Sequence, residues 1–535
     1  MAEGSRSSQE SETAAWVRVA MPSAADLFFV ALLGVIVFTP LSVRLLGDAD
    51  IGWHIRSGQL IAATHAVPRV DSFSSTMQGR PWFAWEWLYD LIVGELEAHF
   101  GLNGVVWLTA AVIAAVFSWM FRLLMARGAN VVVGLLLVLL ALWASTIHLL
   151  ARPHVVSWLF TLAWFVILDS SEPDSSELDS SKRECFAGNG DRRGRWLWVL
   201  PLLMLVWVNV HGGFLLGFVL WGIFLLGATW SWFRSKDNRI EDALRKIAAG
   251  KRVRTLAWVG LLSAAASLVN PYGWNLHRHA YSYLSNRFLM DHIDEFQSPN
   301  FHLLAPKCFL VLLLVAVVVL AIRGRELRLS EGLTVLFALY AGLYASRDIP
   351  VSSILLVMVM GPLVPASGIA RGFLQRMSAV ETSLHGHVWP VLAVIVTLVI
   401  AGNGGRVGSS LVMDAHFDPQ RMPVEAVNYL EKNGVKGPVL TPDSWGGYLI
   451  YRLYPKTLVV VDDRHDLYGA EFFRSYLKMM QVERGWENFL ETHEASCVLL
   501  RRDAALANVL AVTKGWKMIY ADDVAIAFMH DPGSL

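Results

Sequence analysis

Apolar residues arrive along this chain in blocks the length of membrane helices. About eleven stretches read as apolar helices: 24–46, 104–122, 130–149, 155–169, 196–210, 214–232, 255–269, 308–322, 331–346, 350–366 and 388–401. Most approach the roughly 20 residues that cross a hydrocarbon layer about 30 Å thick. Between the first two lies a long loop, 47–103, in which 51–64 and 82–99 read as amphipathic interfacial helices joined by a turn-rich connector from Pro68 to Pro81. Trp53, Trp82, Trp85 and Trp87 fall where indole rings favour the membrane interface. From Asp418 the period changes. A helix-like stretch at 423–433, strand-like 437–441 and 457–463, a helix around 470–480, strand-like 496–501 and a closing pair at 516–521 and 524–529 predict a small, mostly parallel α/β layer.

Composition agrees with a polytopic α-helical membrane protein carrying a C-terminal soluble α/β domain. Of 535 residues 55% are hydrophobic and 17% charged, against about a quarter charged in soluble globular chains, so an ordinary soluble enzyme is excluded. Lys and Arg total 45 and Asp and Glu 45, so no global field recruits nucleic acid. The placement of the charges is more informative. Arg122 and Arg127, Lys182 to Arg195, Arg234 to Arg254, Arg323 to Arg328, and Arg371 with Arg376 occupy alternate loops, and basic excess marks the cytoplasmic side. This predicts a cytoplasmic tail at 1–23, a transmembrane region at 24–401 with a flexible cytoplasmic loop at 170–195, and an extracytoplasmic domain at 402–535. The first apolar run lacks a small-residue cleavage site and reads as a retained helix. Cys185, Cys308 and Cys497 have neither disulfide nor metal-ligand spacing.

Asp48 and Asp50 stand just past the first helix, before Trp53 and His54. Two carboxylates at i and i+2 can act as base and stabiliser, or share a divalent cation through hard oxygen ligands; equally, they can merely mark a helix end in water. Other polar corners fall on the same predicted face: Arg152 with His154, Asn209 with His211, Asn270, His277 and His279, Asp291 with Asp294 and Glu295, and Arg347 with Asp348. Ionisable residues at membrane depth are costly and commonly line a functional cavity. His211-Gly212-Gly213 is also readable as a tight helix reversal, and Asp462 to Asp466 as a strand-end turn in which Arg464 pairs with a carboxylate.

Asp48-Ala49-Asp50-Ile51-Gly52-Trp53-His54, with Gly58, Pro68, Asp71, Phe73, Ser74 and Trp85-Glu86-Trp87-Leu88, resembles the C-type (GT-C) membrane glycosyltransferases. The resemblance is to their bacterial branch, similar to protein mannosyltransferases and lipid A aminoarabinose transferases. It implies transfer of a sugar from a polyprenyl-phosphate carrier to an acceptor outside the cytoplasm, with a catalytic carboxylate just after the first helix, the place of Asp48 and Asp50. No acceptor motif like that of the oligosaccharyltransferases is evident.

The expected function is therefore a membrane glycosyltransferase using a lipid-linked phosphosugar. Asp48, Asp50 and Glu86 are the candidate catalytic carboxylates, while His54, Arg152, His154, Asn209, His211 and Arg347 are the candidate substrate and phosphate ligands. Asp48 and Asp50 would hold a divalent cation, magnesium or manganese, if one is used. The expected partners are the lipid donor, membrane lipid and an extracytoplasmic glycan, lipid or protein acceptor, with the protein in the plasma (inner) membrane. The alternatives are a transporter or lipid flippase, whose pathway the same corners would line, and a non-catalytic envelope assembly protein.

Overall fold

The computed structural model describes residues 20–172, 194–235, 240–364, 371–384, 387–435 and 437–530. Most of the tail predicted at 1–23 and of the loop predicted at 170–195, with Cys185, lies outside these residues. Among the described residues five helices are long and apolar enough to cross a membrane: Trp87–Ala126, Val131–His148, Gly212–Arg234, Leu304–Glu326 and Ser346–Leu363. Five shorter apolar helices accompany them: Ala24–Phe38, His154–Ser170, Gly194–Val210, Leu329–Tyr344 and Val388–Gly402. The stretch expected at 255–269 is the apolar end of the longer helix Ile240–Ser267.

Local chemistry sets several boundaries. Ser23 caps Ala24–Phe38 in a reciprocal capping box with Asp26. The first apolar run, expected to continue to 46, stops there because Pro40 has no amide hydrogen to donate and forces Thr39 into extended backbone; a short helix, Leu41–Leu45, follows.

Ion pairs show that the helices alternate in direction. Arg127 and Arg328 both bind Asp169, and Glu172 is 3.0 Å from Arg252 and 3.5 Å from Arg328. Three of the basic loops therefore meet at one end of the bundle. The other ends of the same helices carry Glu86, Arg152 and Arg347, beside Asp48 and the 424–530 region.

In the first long loop Asp50–Thr64 is helical, and the second helix, expected at 82–99, starts at Trp87 and ends at a kink at Gly101 (φ 61°, ψ -163°), where it joins the apolar helix that runs on to Ala126. Trp53 and Trp82, expected at the membrane interface, are buried at 7% and 3% exposure. They are covered because the connector between Pro68 and Pro81 pairs with the C-terminal region: the Ser75 amide donates to the Val459 carbonyl (2.8 Å) and the Thr76 hydroxyl to that of Val460 (2.7 Å).

That region holds a four-stranded sheet in the order Val439–Leu440, Cys497–Arg501, Ala525–His530, Trp516–Ala521. Only the first pair is parallel, so the expectation of a mostly parallel layer is corrected. Trp516–Ala521 and Ala525–His530 are joined by residues 522–524, and so short a connection permits only antiparallel pairing. The strand expected at 457–463 forms only isolated bridges, from Val459 to Val439 and to Ser74.

Helix Asp443–Leu453 docks backbone to backbone on the start of Asp50–Thr64. A Cβ at Gly447 would lie 2.3 Å from the Ala49 carbonyl oxygen, and one at Gly52 2.2 Å from that of Gly447. Gly447→Ala should therefore lower stability by about 1–3 kcal/mol, read as a fall in Tm in detergent. Gly332→Ala, a helical site with nothing within 4 Å, should leave Tm unchanged or slightly raised.

Candidate active site

Asp48 and Asp50 sit where the chain leaves its first helices and turns into Asp50–Thr64, and Asp48 Oδ1 accepts the Asp50 amide (3.1 Å). Their Oδ2 atoms face one guanidinium. Arg152 Nη1 lies 3.0 Å from Asp48 Oδ2 and 2.8 Å from Glu295 Oε1, and its Nη2 binds Asp50 Oδ2. Burial opposes the Arg152 charge, but Asp48 and Glu295 outweigh it and hold its pKa above the ordinary arginine value. Burial likewise opposes the Glu295 charge, and Arg152 and Arg347 outweigh that, keeping this carboxyl well below the usual range.

The C-terminal region supplies a third carboxylate. Oxygens of Asp48, Asp50 and Asp463 lie within 4.8 Å of one another, an arrangement that could hold a metal ion. Because Arg152 occupies the Oδ2 side, Asp50 Oδ1 is left buried without a partner, as is Asp463 Oδ1. Burial, then repulsion from Asp48, pushes the Asp463 carboxyl up to about 7.

A second polar centre adjoins the first. Glu86 precedes helix Trp87–Ala126, with Oε2 3.7 Å from His54 Nε2 and Oε1 3.6 Å from His211 Nε2. Behind His54, Nδ1 is 2.6 Å from Asp90 Oδ1. Behind His211, Nδ1 accepts the Gly213 amide (3.0 Å) and the Ser157 hydroxyl (2.8 Å), whose oxygen accepts Trp207 Nε1–H (2.7 Å). Burial, then Asp90, raises the Glu86 carboxyl well above its usual range; burial, then Arg152, lowers His54 well below the usual histidine value.

The remaining candidates are placed differently. Arg347 lies over the Phe296 ring (4.5 Å) and 3.9 Å from Glu295, so its ion pair is with Glu295 and not with its neighbour Asp348. Its side chain retains 30% exposure. Asn209 is internally satisfied: its oxygen accepts Trp87 Nε1–H, and its amide donates to the Leu205 and Val269 carbonyls. His154 Nε2 is hydrogen-bonded to the His148 carbonyl (2.8 Å). Asn270 accepts the Tyr272 amide within its own turn.

Arg464 locks Asp463 in place. Its guanidinium pairs with Asp462 Oδ2 (2.7 Å) and with Asp71 Oδ1 of the first loop (2.8 Å), and it lies over the rings of Trp82, Phe73 and Trp53. The Arg464 pairing is the strand-end turn expected from sequence; the position of Asp463 beside Asp48 and Asp50 is what sequence reasoning missed. Asp90 was missed too, although its i+4 spacing from Glu86 placed both on one helical face.

The chain resembles solved membrane transferases over almost its whole length. Apo ArnT from Cupriavidus metallidurans superposes with a TM-score of 0.52 at 12% identity, covering 94% of this chain and 97% of that one. The archaeal oligosaccharyltransferase AglB from Archaeoglobus fulgidus, in complex with an inhibitory peptide and a dolichol-phosphate, gives 0.51 at 11% identity over 96% of this chain and 74% of that one. Its apo form gives 0.50 at 12%. This is the GT-C fold. The resemblance first carried by the residues between Asp48 and Leu88 thus extends, as fold, through the C-terminal region. No protein-family model and no curated protein sequence matches the chain.

A carboxyl with a raised folded pKa favours the folded state while it can stay protonated and costs stability as pH rises through the folded value. For Asp463 that window runs from about 4 to about 7. In metal-free buffer, Asp463→Asn should melt close to wild type near pH 4 and increasingly above it as pH approaches 7.5, by a few degrees. A Tm difference that does not change with pH would contradict the buried, Asp48-facing placement.

Proposed function

We propose that this chain is a membrane glycosyltransferase that moves a sugar from a polyprenyl-phosphate donor to an acceptor outside the cytoplasm. The observation that carries the reading is the meeting of Asp48, Asp50, Asp463, Arg152 and Glu86 in one space at a single end of the helix bundle, on a fold shared with transferases. AglB, one of these, was solved with a dolichol-phosphate.

Each group then has a task. A phosphosugar on a lipid keeps its chain in the bilayer and its phosphate at the boundary. Arg347, the less committed of the two guanidiniums, is the phosphate ligand, while Arg152 holds the Asp48 and Asp50 carboxylates in place. Asp50 takes the proton from the acceptor hydroxyl as its oxygen attacks the anomeric carbon, a contribution of about 10²–10⁴ in rate; Asp48 is the alternative. In the alternative in which these carboxylates hold a metal and not a proton, the orphaned oxygens of Asp50 and Asp463, with Asp48, would be the oxygen ligands of a magnesium or manganese ion. Such an ion would supply positive charge for the departing phosphate. The basic loops meeting at Asp169 and Glu172 support a cytoplasmic assignment for that end, with the C-terminal region outside a bacterial plasma membrane. Alkaline phosphatase fused after Gly404 should then be active, and an inactive fusion would reverse the assignment.

Purified protein supplied with a radiolabelled polyprenyl-phosphate sugar should release or transfer the label. Asp50→Asn should cut kcat by about 10²–10⁴ with donor binding retained, and Arg347→Lys should raise the donor KM about tenfold, since lysine cannot reproduce the bidentate fork. Unchanged turnover in both Asp48→Asn and Asp50→Asn would remove the base assignment. Movement of intact lipid-linked sugar across a vesicle, without bond cleavage, would favour a flippase.

A further inference from the structure

Three polar atoms beside the carboxylates have no role in the transfer steps. Trp85, directly before Glu86, is half-buried, and its Nε1–H makes no hydrogen bond to any described residue. Two nearby indoles differ: Trp87 Nε1–H goes to Asn209 Oδ1 (2.8 Å) and Trp207 Nε1–H to Ser157 Oγ (2.7 Å). The Tyr283 hydroxyl is also without a partner among the described residues, as is Asp466 Oδ1, whose Oδ2 lies 2.9 Å from His279 Nε2. Tyrosine and tryptophan usually find a partner for the O–H or N–H when it is buried. None of these three atoms is sealed inside the protein, so each can meet a ligand.

One helix brings them together. His279 and Tyr283, four residues apart, share a face of Trp274–Leu284 with the buried Leu276 and Ala280, whereas Tyr281 is 76% exposed. Trp85 meets His279 and Tyr283 edge-to-face, at centroid separations of 5.4 and 6.3 Å and interplanar angles of 73° and 78°, so neither ring lies flat on the indole. The row continues from Tyr283 to Phe296 (6.0 Å) and from Phe296 to the Arg347 guanidinium (4.5 Å). Aromatic surface therefore runs from the residue before Glu86 to the phosphate ligand. Asp466 and Arg347 act electrostatically on both Tyr283 and Glu86, which places these groups around one space. Beyond the indole edge, a Cβ at Gly212 would meet nothing nearer than Trp85 Cζ3 at 3.9 Å, so that flank is open.

We infer that Trp85, Tyr283 and Asp466 form the subsite for the transferred sugar, a pyranose without a carboxylate, which lays a C–H face on the Trp85 indole and turns hydroxyls toward Tyr283 Oη and Asp466 Oδ1. The assignment rests on the transferase reading and names its sugar class. With the lipid phosphate on Arg347, the sugar is the next part of the donor, and the aromatic row is the surface beside that guanidinium. Small-molecule sites commonly combine apolar aromatic walls with a few polar groups that fix orientation. A pyranose has the matching character, an apolar C–H face and a rim of hydroxyls that need partners when they leave water. A uronic acid would set a second carboxylate against Asp466, and such like-charge contacts select against the wrong ligand. His279 is a positioning residue, held between Asp466 and the stacked Phe83 ring (4.2 Å).

The test titrates full-length protein in nanodiscs, by calorimetry, with a short-chain polyprenyl phosphate and with the same lipid phosphate carrying glucose, galactose, mannose or glucuronic acid. The readout is the factor by which the sugar tightens binding over the bare lipid phosphate. Wild type should gain about tenfold with at least one of the three neutral hexoses and nothing with glucuronic acid. Trp85→Ala should abolish that gain, and Tyr283→Phe, which keeps the ring row, should cut it about fivefold, with the Kd for bare lipid phosphate within about twofold of wild type in both. Asp466→Asn should reduce the gain with the hexose and admit glucuronic acid. Tyr281→Ala, on the exposed side of the same helix, should change nothing, and Arg347→Lys should weaken bare and sugar-bearing lipid alike. A bare lipid phosphate that binds with no gain from any hexose overturns the subsite and leaves the transferase reading standing. The subsite is also overturned if Trp85→Ala and Tyr283→Phe lower Tm but keep the gain, the result expected of rings that only pack. If wild type binds neither the bare nor any sugar-bearing lipid phosphate, the transferase reading falls and the subsite with it.

Discussion

The structure depends on one buried guanidinium. Arg464 is 3% exposed, is held between Asp462 and Asp71, and is covered by three aromatic rings. A buried arginine needs carboxylate partners, and removing one partner of such a pair costs about 3–5 kcal/mol. Here the partners come from both sides of a junction, Asp462 from the C-terminal region and Asp71 from the first loop, so the charge is satisfied only when the two are docked. The next-door residue, Asp463, is carried with it to Asp48 and Asp50. The close approach of Gly52 and Gly447 and the pairing of Ser75 and Thr76 with residues 459–460 act in the same direction.

What this docking produces is a polar space lined from both the helix bundle and the C-terminal region. Several acids, bases and histidines share it, but their surroundings differ. Asp48 and Asp50 are each paired with Arg152, while Glu86 faces two imidazoles and a nearby carboxylate on its own helix.

At the opposite end of the bundle, Asp169 and Glu172 gather Arg127, Arg252 and Arg328 from three different segments. Buried carboxylates are costly without such partners, and meeting the cost fixes which helix ends lie together. The polar ends of His154–Ser170 and Leu329–Tyr344 then have to emerge on the other face, bringing Arg152 and Arg347 to the site.

The blocks of apolar residues, the change of period after Asp418 and the alternation of basic loops were legible in sequence because each depends on local composition. So was the position of Asp48 and Asp50, which stand within a few residues of a helix end. The strands expected at 516–521 and 524–529 left only two residues between them, short enough for a hairpin, yet the layer was expected to be mostly parallel because its strands alternate with helices. The burial of Trp53 and Trp82 was beyond reach for a different reason: an indole beside a membrane helix reads as interfacial unless the partner 380 residues away that covers it is known. Asn209 and His154 were of the right chemical type for a ligand but had their hydrogen bonds taken by Trp87 and by the His148 carbonyl. Residue types and local periods were thus set by the chain itself. Which carboxylate meets which guanidinium was decided only by tertiary contact, because charge energetics depend on burial and on neighbours distant in sequence.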